Sequence, residues 1–267
     1  MVAFPNSKIN IGLNITGRRP DGYHDLETVF YPVGIRDALE VVEAADLTFT
    51  STGLEIPGSP ESNLCLKAYR LLAEDFQVPH VHIHLHKHIP IGAGLGGGSA
   101  DAAFFVRLMN EKFGLGLSDA RMEDYCRQLG ADCPFFIRNK PVFASGIGDV
   151  FSDLSLDLGA HYLVLVKPPV HISTAEAYAG VKPVRPERPL TELVRLPVGD
   201  WKDAVINDFE ASVFGRYPVV RSVRDALYEA GALYASMSGS GSSVYGIFKD
   251  PVTLPALEAG NQVFYNI

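Results

Sequence analysis

The sequence predicts an α+β fold, and its local patterns are the reason. Segments with apolar residues at helical spacing and segments typical of strands are mixed along the chain, without a strict strand–helix–strand alternation. The length of 267 residues suits one large domain or two modest ones. We expect a domain change near residues 145–160, with domains at 1–152 and 153–267.

Four helices are predicted from spacing and capping residues. They lie at residues 61–76, 99–113, 118–130 and 217–231. Ser99 and Ser118 are the expected N-caps of the second and third helices, because a serine hydroxyl can accept a bond from a free helical N–H. Gly130 is the expected stop of the third helix, and the fourth is expected to end at Gly231.

Strands are predicted at residues 38–50, where polar residues interrupt the pattern, and at 81–89, 161–169 and 243–249. In the second of these, His82, His84, His86 and His88 alternate with other residues and would share one face of a half-buried strand. Neighbouring histidines about 7 Å apart could share a metal ion. No nearby cysteine or carboxylate completes a tetrahedral set, so a polar strand face is favoured and no metal ligand is assigned.

The composition narrows the classes of function. The net charge of −8 argues against non-specific binding of nucleic acid or an anionic membrane, which needs a basic surface. We see neither a signal peptide nor an apolar stretch of membrane-spanning length. Cys65, Cys126 and Cys133 form no CxxC pair and are expected to be buried, reduced thiols. We therefore expect a cytoplasmic protein.

The stretch from Gly92 to Gly98 holds five glycines in seven residues, between a predicted strand and a predicted helix. Glycines allow positive φ angles and a close approach of backbone to ligand, and a helix N-terminus attracts anions, so the stretch favours polyphosphate. It matches GxGxxG, but the acidic residue that a dinucleotide site needs about 20 positions later is missing. No Gly-Lys-Ser/Thr closes a Walker A loop. A glycine-rich connector without a ligand is the alternative.

Three motifs carry a resemblance to a known family. "PIGAGLGGGSADAA" at residues 90–103 resembles the ATP loop of the superfamily of galactokinase, homoserine kinase, mevalonate kinase and phosphomevalonate kinase (GHMP). Residues 7–30 resemble its first motif, and "MSGSGSSVYGIF" at 237–248 resembles its third. The resemblance implies a two-domain α+β architecture, with an N-terminal ATP-binding α/β domain, a C-terminal α+β domain and a cleft between them.

The first motif also implies a substrate. "TGRRPDGYHDLETVF", with residues 129–137 and 143–151, is similar to the family members that act on 4-diphosphocytidyl-2-C-methyl-D-erythritol. The resemblance implies transfer of the γ-phosphoryl group of ATP, bound with Mg²⁺, to the 2-hydroxyl of that small molecule, in the non-mevalonate route to isoprenoid precursors. It implies neither a nucleic-acid nor a membrane partner. The oligomeric state stays open between a monomer and a weak homodimer.

The resemblance assigns catalysis to two residues. Asp132 matches the catalytic aspartate, which would accept the proton of the attacking hydroxyl, and a turn carboxylate is the alternative. Lys8 matches an active-site lysine that would keep this carboxylate ionised and stabilise the transferring group. The substrate-binding residues that the resemblance implies are Asn10, Tyr23, His24, Ile147, Thr174 and Tyr178. Asn10 would share the strand face of Lys8, and cytosine would lie between Tyr23 and Tyr178.

The resemblance also implies an ATP site. Its residues are Pro90, Ile91, Gly92, Ala93, Gly94, Leu95, Gly96, Gly97, Gly98, Ser99 and Ala100 of the glycine loop, Asn63 and Lys87 near the adenine, and Ser238, Gly239, Ser240 and Gly241 of the third motif. For Asn63 a helix cap is the alternative, and for Lys87 a surface position. For the third motif the alternative is a tight turn.

Three other functions remain as alternatives. Another GHMP kinase, acting on homoserine or mevalonate, would lack a cytosine pocket, so Tyr23, His24 and Tyr178 discriminate against it. A non-catalytic nucleotide-binding protein would not need to keep both Lys8 and Asp132. A dinucleotide-dependent oxidoreductase rests only on the GxGxxG match.

Overall fold

The computed structural model describes residues 1–267. The strands are β1 (Val2–Ala3), β2 (Asn6–Arg18), β3 (His24–Arg36), β4 (Ala38–Glu43), β5 (Thr48–Gly53), β6 (Val81–Lys87), β7 (Val142–Ser145), β8 (Val150–Asp153), β9 (Tyr162–Lys167), β10 (Tyr234–Met237), β11 (Val244–Phe248) and β12 (Gln262–Tyr265). The helices are α1 (Leu64–Asp75), α2 (Gly97–Phe113), α3 (Asp119–Leu129), α4 (Phe135–Arg138), α5 (Thr174–Ala179), α6 (Leu190–Leu193), α7 (Phe209–Arg216), α8 (Pro218–Glu229) and α9 (Pro255–Glu258). The mixed order confirms the predicted α+β class.

The chain forms two compact units, and each is discontinuous in sequence. Unit 1 comprises Met1–Ser7, Ile35–Ile91 and Gly96–Lys140. Unit 2 comprises Lys8–Gly34, Gly92–Leu95 and Pro141–Ile267. The domains expected at 1–152 and 153–267 divide the chain differently and stay a prediction.

Unit 1 contains a four-stranded sheet in the order β1-β4-β6-β5, with β5 parallel to β6 and the other pairs antiparallel. Strand β6 alternates as expected, because Ile83 and Leu85 are buried whereas His82 and His84 are partly exposed and His86 is exposed. Thr50 on β5 is hydrogen-bonded to His82 at 3.1 Å and to His84 at 2.9 Å. The predicted half-buried strand is confirmed, and its polar face forms a ladder with β5.

Helix α2 begins earlier than expected. Its N-cap is Gly96, at φ 68°, and Ser99 lies in the first turn, so the prediction of Ser99 as N-cap is wrong. A glycine at positive φ ends the preceding loop without a side-chain cap, which allows the helix to begin at Gly97. The cap of α3 is confirmed, since the Ser118 side chain accepts a hydrogen bond from the Arg121 N–H.

Two other boundaries also bear on the predictions. The interrupted strand material expected at 38–50 forms two strands, since β4 ends at Glu43 and β5 begins at Thr48. Helix α8 ends at Glu229, and Gly231 follows at φ 93°, close to the expected stop. None of the helices combines the length and apolar composition that a bilayer span requires.

Unit 2 contains two four-stranded sheets, in the orders β2-β3-β7-β8 and β10-β11-β9-β12. The buried side chains of β9 and β11 join those of α7 and α8 in one apolar cluster, which includes Val164, Phe209, Val223 and Val244. The long strand β2 is buried over its first ten residues. This burial gives the residues of the first motif a rigid support.

Candidate active site

Lys8 and Asn10 lie on the same face of β2 and contact each other. The Lys8 Nζ donates a hydrogen bond to the Asn10 Oδ1 at 2.5 Å. The ammonium also lies 4.7 Å from the centroid of the Phe30 ring, in a cation–π arrangement. Because Lys8 is only 4% exposed, these contacts restrict where its charge can lie. The predicted shared strand face is confirmed.

Thr28 orients the carboxamide of Asn10. The Asn10 Nδ2 donates to the Thr28 Oγ1 at 3.0 Å, and this hydroxyl donates in turn to the Gly12 carbonyl oxygen at 2.5 Å. Since the hydroxyl proton is used by Gly12, Thr28 can only accept from Asn10. The oxygen of the carboxamide therefore faces the Lys8 ammonium.

The Ser238 hydroxyl joins the three motifs inside unit 2. It accepts a hydrogen bond from the Asn10 N–H at 3.1 Å and donates to the Gly94 carbonyl oxygen at 2.8 Å. The Tyr245 hydroxyl donates to the Asn10 carbonyl oxygen at 3.0 Å. The Lys8 N–H donates to the Leu95 carbonyl oxygen at 3.0 Å. Residues far apart in sequence thus form one hydrogen-bonded junction.

The glycine loop has the backbone that close packing requires. Gly94 has φ 79°, and a Cβ atom there would lie 2.0 Å from the Ser238 carbonyl oxygen. Gly239 has φ 56°, and a Cβ atom there would lie 3.1 Å from the Asn10 Oδ1. These close contacts require glycine at both positions, and an approach of this backbone to a phosphate stays a prediction. A glycine-rich connector without a ligand stays the alternative.

Unit 1 carries the other half of the glycine loop and Asp132. Pro90 is buried and Ile91 half-buried, and Gly96–Ala100 cover the N-cap and first turn of α2. A helix N-terminus offers unpaired N–H groups and a positive dipole end, which suits an anion. Asp132 is half-buried in the turn that follows α3. The neighbouring Cys133 is buried, and burial raises the pKa of its thiol to about 11.

Lys87 is buried, so the alternative of a surface lysine is wrong. Its ammonium contacts the carboxylates of Asp37 at 2.5 Å and Asp101 at 2.6 Å. The Asp37 Oδ1 also accepts the N–H groups of His88 and Ile89 at 2.6 and 2.8 Å. The cluster thereby ties β6 to the second turn of α2. A role of Lys87 near adenine stays a prediction.

Burial and the neighbouring charges shift the pKa values of this cluster in opposite directions. Burial raises the pKa of Asp101 to about 7, although the Lys87 ammonium beside it acts in the opposite direction. The pKa of Lys87 is raised by the carboxylates of Asp101 and Asp37 against the effect of its own burial. The ammonium of Lys87 is therefore held in its charged form, whereas the Asp101 carboxylate binds a proton more readily than an ordinary aspartate does.

Asn63 is the N-cap of α1, since its Oδ1 accepts the Cys65 N–H at 2.8 Å. This contact supports the alternative of a helix cap, and a contact between Asn63 and adenine stays a prediction. In the third motif, Ser238 and Gly241 are buried and Gly241 has φ 86°. Ser240, between them, is half-buried.

The expected substrate residues of unit 2 are partly brought together. The rings of His24 and Tyr178 stack, with centroids 4.9 Å apart and planes at 26°. The rings of Tyr178 and Phe209 lie nearly perpendicular, at 79°, with centroids 4.8 Å apart. Tyr23 is 63% exposed. The stacking partner of Tyr178 is therefore His24, and a cytosine between Tyr23 and Tyr178 stays a prediction.

Two residues assigned less firmly to the substrate site lie at the start of a helix and in a turn. Thr174 is the first residue of α5, which begins with a capping box between Ser173 and Glu176. Ile147 is half-buried in the turn between β7 and β8, and its N–H donates to the Asp149 Oδ1 at 3.2 Å. Their contacts with a ligand stay predictions.

Three further residues hold the predicted ones in place but carry no local signal in the sequence. Thr28 and Tyr245 fall inside the recognised motifs, but nothing local marks them as partners of Asn10. Asn207 lies outside all three motifs, and its buried carboxamide contacts the third. Such pairings join residues that are distant in sequence, so no periodicity or cap reveals them.

Two family models match the chain. The model of the GHMP kinase N-terminal domain matches residues 63–140, and that of the C-terminal domain matches residues 198–264. The mevalonate kinase of Methanococcus jannaschii shares the fold, with a TM-score of 0.71 at 12% identity over 99% of this chain and 97% of that one. The fold and the two family models thus define a small-molecule kinase of the GHMP type.

Closer relatives carry a more specific name. A Bacteroides fragilis protein named 4-diphosphocytidyl-2-C-methyl-D-erythritol kinase is 57% identical over 252 residues, 93% of this chain and 92% of that protein. One of the same name from Bacteroides thetaiotaomicron is 53% identical over 99% of this chain and 98% of its own. A crystal structure of 4-(cytidine 5'-diphospho)-2C-methyl-D-erythritol kinase matches with a TM-score of 0.86 and 30% identity, covering 99% and 98% of the two chains. The chain belongs to the 4-diphosphocytidyl-2-C-methyl-D-erythritol kinase family.

Proposed function

We propose that this protein transfers the γ-phosphoryl group of magnesium-ATP to the 2-hydroxyl of 4-diphosphocytidyl-2-C-methyl-D-erythritol, a step of non-mevalonate isoprenoid precursor synthesis. The observation that carries the proposal is the junction of Lys8, Asn10, Gly94 and Ser238, which joins all three motifs of a GHMP kinase. The names of relatives more than 50% identical support the choice of acceptor.

The chain's own groups supply positioning and electrostatic stabilisation. The side-chain-free backbone around Gly94 and Gly239 and the N-terminus of α2 would bind the phosphates of ATP. Magnesium that arrives with ATP would offset phosphate charge. The Lys8 ammonium, held by Asn10, would stabilise the negative charge on the transferring group. Such catalysis needs no covalent enzyme intermediate.

Asp132 is the proposed general base. Its carboxylate would accept the proton of the 2-hydroxyl as the new oxygen–phosphorus bond forms and the bond to ADP breaks. His24 and Tyr178 would recognise the cytidyl group, by a hydrogen bond and by stacking. A cytoplasmic location belongs to the same proposal.

The test is ADP release from magnesium-ATP with the cytidyl acceptor, for the wild type and for Asp132→Ala. Turnover with this acceptor, and a loss of about 10²- to 10⁴-fold in kcat for the variant, is the expected result. Homoserine and mevalonate serve as control acceptors and should give no turnover. A wild type that is inactive, or a variant as active as the wild type, would contradict the proposal and favour a non-catalytic nucleotide-binding protein.

A further inference from the structure

The side chain of Asn207 contacts the third-motif loop, residues Ser238–Gly241, from a segment outside the three motifs. Its Nδ2 donates to the carbonyl oxygens of Met237 at 2.8 Å and Gly239 at 2.9 Å. Its Oδ1 accepts the Phe209 N–H at 3.0 Å. Asn207 is 3% exposed, so these bonds are not replaced by water. The partners also fix which end of the carboxamide is nitrogen, because two are acceptors and one is a donor.

The backbone around Asn207 is anchored to the strand of Lys8 and Asn10. The Leu13 N–H donates to the Ile206 carbonyl oxygen at 2.9 Å, and the Asp208 N–H donates to the Leu13 carbonyl oxygen at 2.8 Å. These bonds form an isolated parallel bridge between Leu13 and Asn207. The carboxamide thus extends from a segment fixed on β2 to the loop that follows β10.

We propose that Asn207 is a positioning residue that holds the third-motif loop against Asn10 and Gly94. The loop needs such a support because Gly239 approaches Asn10 so closely that a Cβ atom would lie 3.1 Å from the Asn10 Oδ1. A shift of the loop would also move the Ser238 hydroxyl away from Gly94. The inference rests on the proposed function in one respect, namely that this loop contacts the phosphates of ATP.

The test uses the full-length Asn207→Asp variant. This substitution replaces the side-chain NH2 group, which has two N–H donors, with a carboxylate oxygen of nearly the same size. That oxygen would face two carbonyl oxygens, so the loop loses both bonds and is repelled. We expect the KM for ATP and the Kd for ADP to rise about tenfold or more, the usual scale for a buried hydrogen bond without its partner. The KM for the cytidyl acceptor should change less.

Asn110→Asp is the matched control. The Asn110 Nδ2 donates to the Leu117 carbonyl oxygen at 3.1 Å, and its Oδ1 accepts the Leu117 N–H at 2.9 Å, so the same substitution breaks a similar bond in unit 1. This control should lower Tm without changing the KM for ATP. If Asn207→Asp likewise lowers Tm but leaves the KM for ATP unchanged, the proposal is overturned, because the role of Asn207 is then only structural.

Two further arms keep the outcomes distinct. If Asn207→Asp does not fold, Asn207→Ala, which removes the bonds without adding a charge, takes its place. If neither variant folds, Asn207 is structural and the proposal is wrong. If the wild type does not turn over the cytidyl acceptor, the proposed function fails, and the Kd for ADP alone decides the role of Asn207.

Discussion

The Ser238 hydroxyl donates a hydrogen bond to the Gly94 carbonyl oxygen at 2.8 Å, across 144 positions of sequence. The Ser238 Oγ also accepts a hydrogen bond from the Asn10 N–H. One buried hydroxyl therefore links the strand of the proposed catalytic lysine with both small-residue loops. Because the hydroxyl is fully buried, water cannot replace it if it is removed.

Ser238→Ala should weaken the use of ATP. The substitution leaves the Asn10 N–H and the Gly94 carbonyl oxygen without this partner, and we expect kcat/KM for ATP to fall about 10- to 100-fold. Steady-state kinetics with varied ATP measures the effect. Ser7→Ala is the control, since the buried Ser7 hydroxyl has no hydrogen-bond partner and its loss should leave the kinetics unchanged. Equal kinetics for the two variants would contradict the junction's role.

Thr28→Val should lower kcat although Thr28 is not expected to contact substrate. Valine has a similar shape but cannot accept the Asn10 N–H, so the carboxamide loses the bond that keeps its oxygen toward Lys8. We expect about a tenfold loss in kcat and recovery in Thr28→Ser, which restores the hydroxyl. In an Asn10→Ala background, Thr28→Val should have no further effect on kcat. Additive losses would show that Thr28 does not act through Asn10.

Asp101 should make stability depend on pH. Burial raises its pKa in the folded protein to about 7, above the value in the unfolded chain. The stabilisation linked to the bound proton is therefore complete below the unfolded pKa, and it is lost as the pH rises through about 7. Asp101→Asn cannot titrate, so the Tm of the wild type minus that of the variant should fall between pH 5.5 and pH 8.

Thermal unfolding of both proteins at the two pH values measures this difference. Asp46→Asn, at an exposed position, is the control for the loss of one carboxylate and should show a constant difference. A constant difference for Asp101→Asn as well would show that the carboxylate is ionised throughout this range. Lys87 stays protonated at both pH values, because its pKa is raised.

Tyr178→Leu should affect the acceptor and spare ATP. Leucine keeps apolar volume against Phe209 but removes the ring that stacks on His24. Stacking of a base on an aromatic ring contributes about 1–3 kcal/mol, so the KM for the cytidyl acceptor should rise about 10- to 100-fold. The KM for ATP is the internal control. An unchanged acceptor KM would place cytidine recognition elsewhere, with Tyr23 as the next residue to substitute.

Local patterns in the sequence determined much of the architecture. The period-two alternation of β6, the Ser118 cap and the glycine stops specify elements through interactions within a few residues, and the structure confirms them. The order of the three motifs indicated the GHMP family, which the comparisons confirm. These features are readable because propensity, periodicity and capping act over short distances.

The tertiary structure decided which groups hold the proposed site. Ser99 is not a cap, because Gly96 takes a positive φ and the helix begins at Gly97. Lys87 is not on the surface, because it forms buried ion pairs with Asp37 and Asp101. Thr28 and Asn207 act through partners that folding alone brings within hydrogen-bond distance. The sequence by itself thus determined several of the elements, the family and the candidate residues. Their orientation depended on long-range packing and on the need to satisfy buried polar groups, which no local pattern encodes.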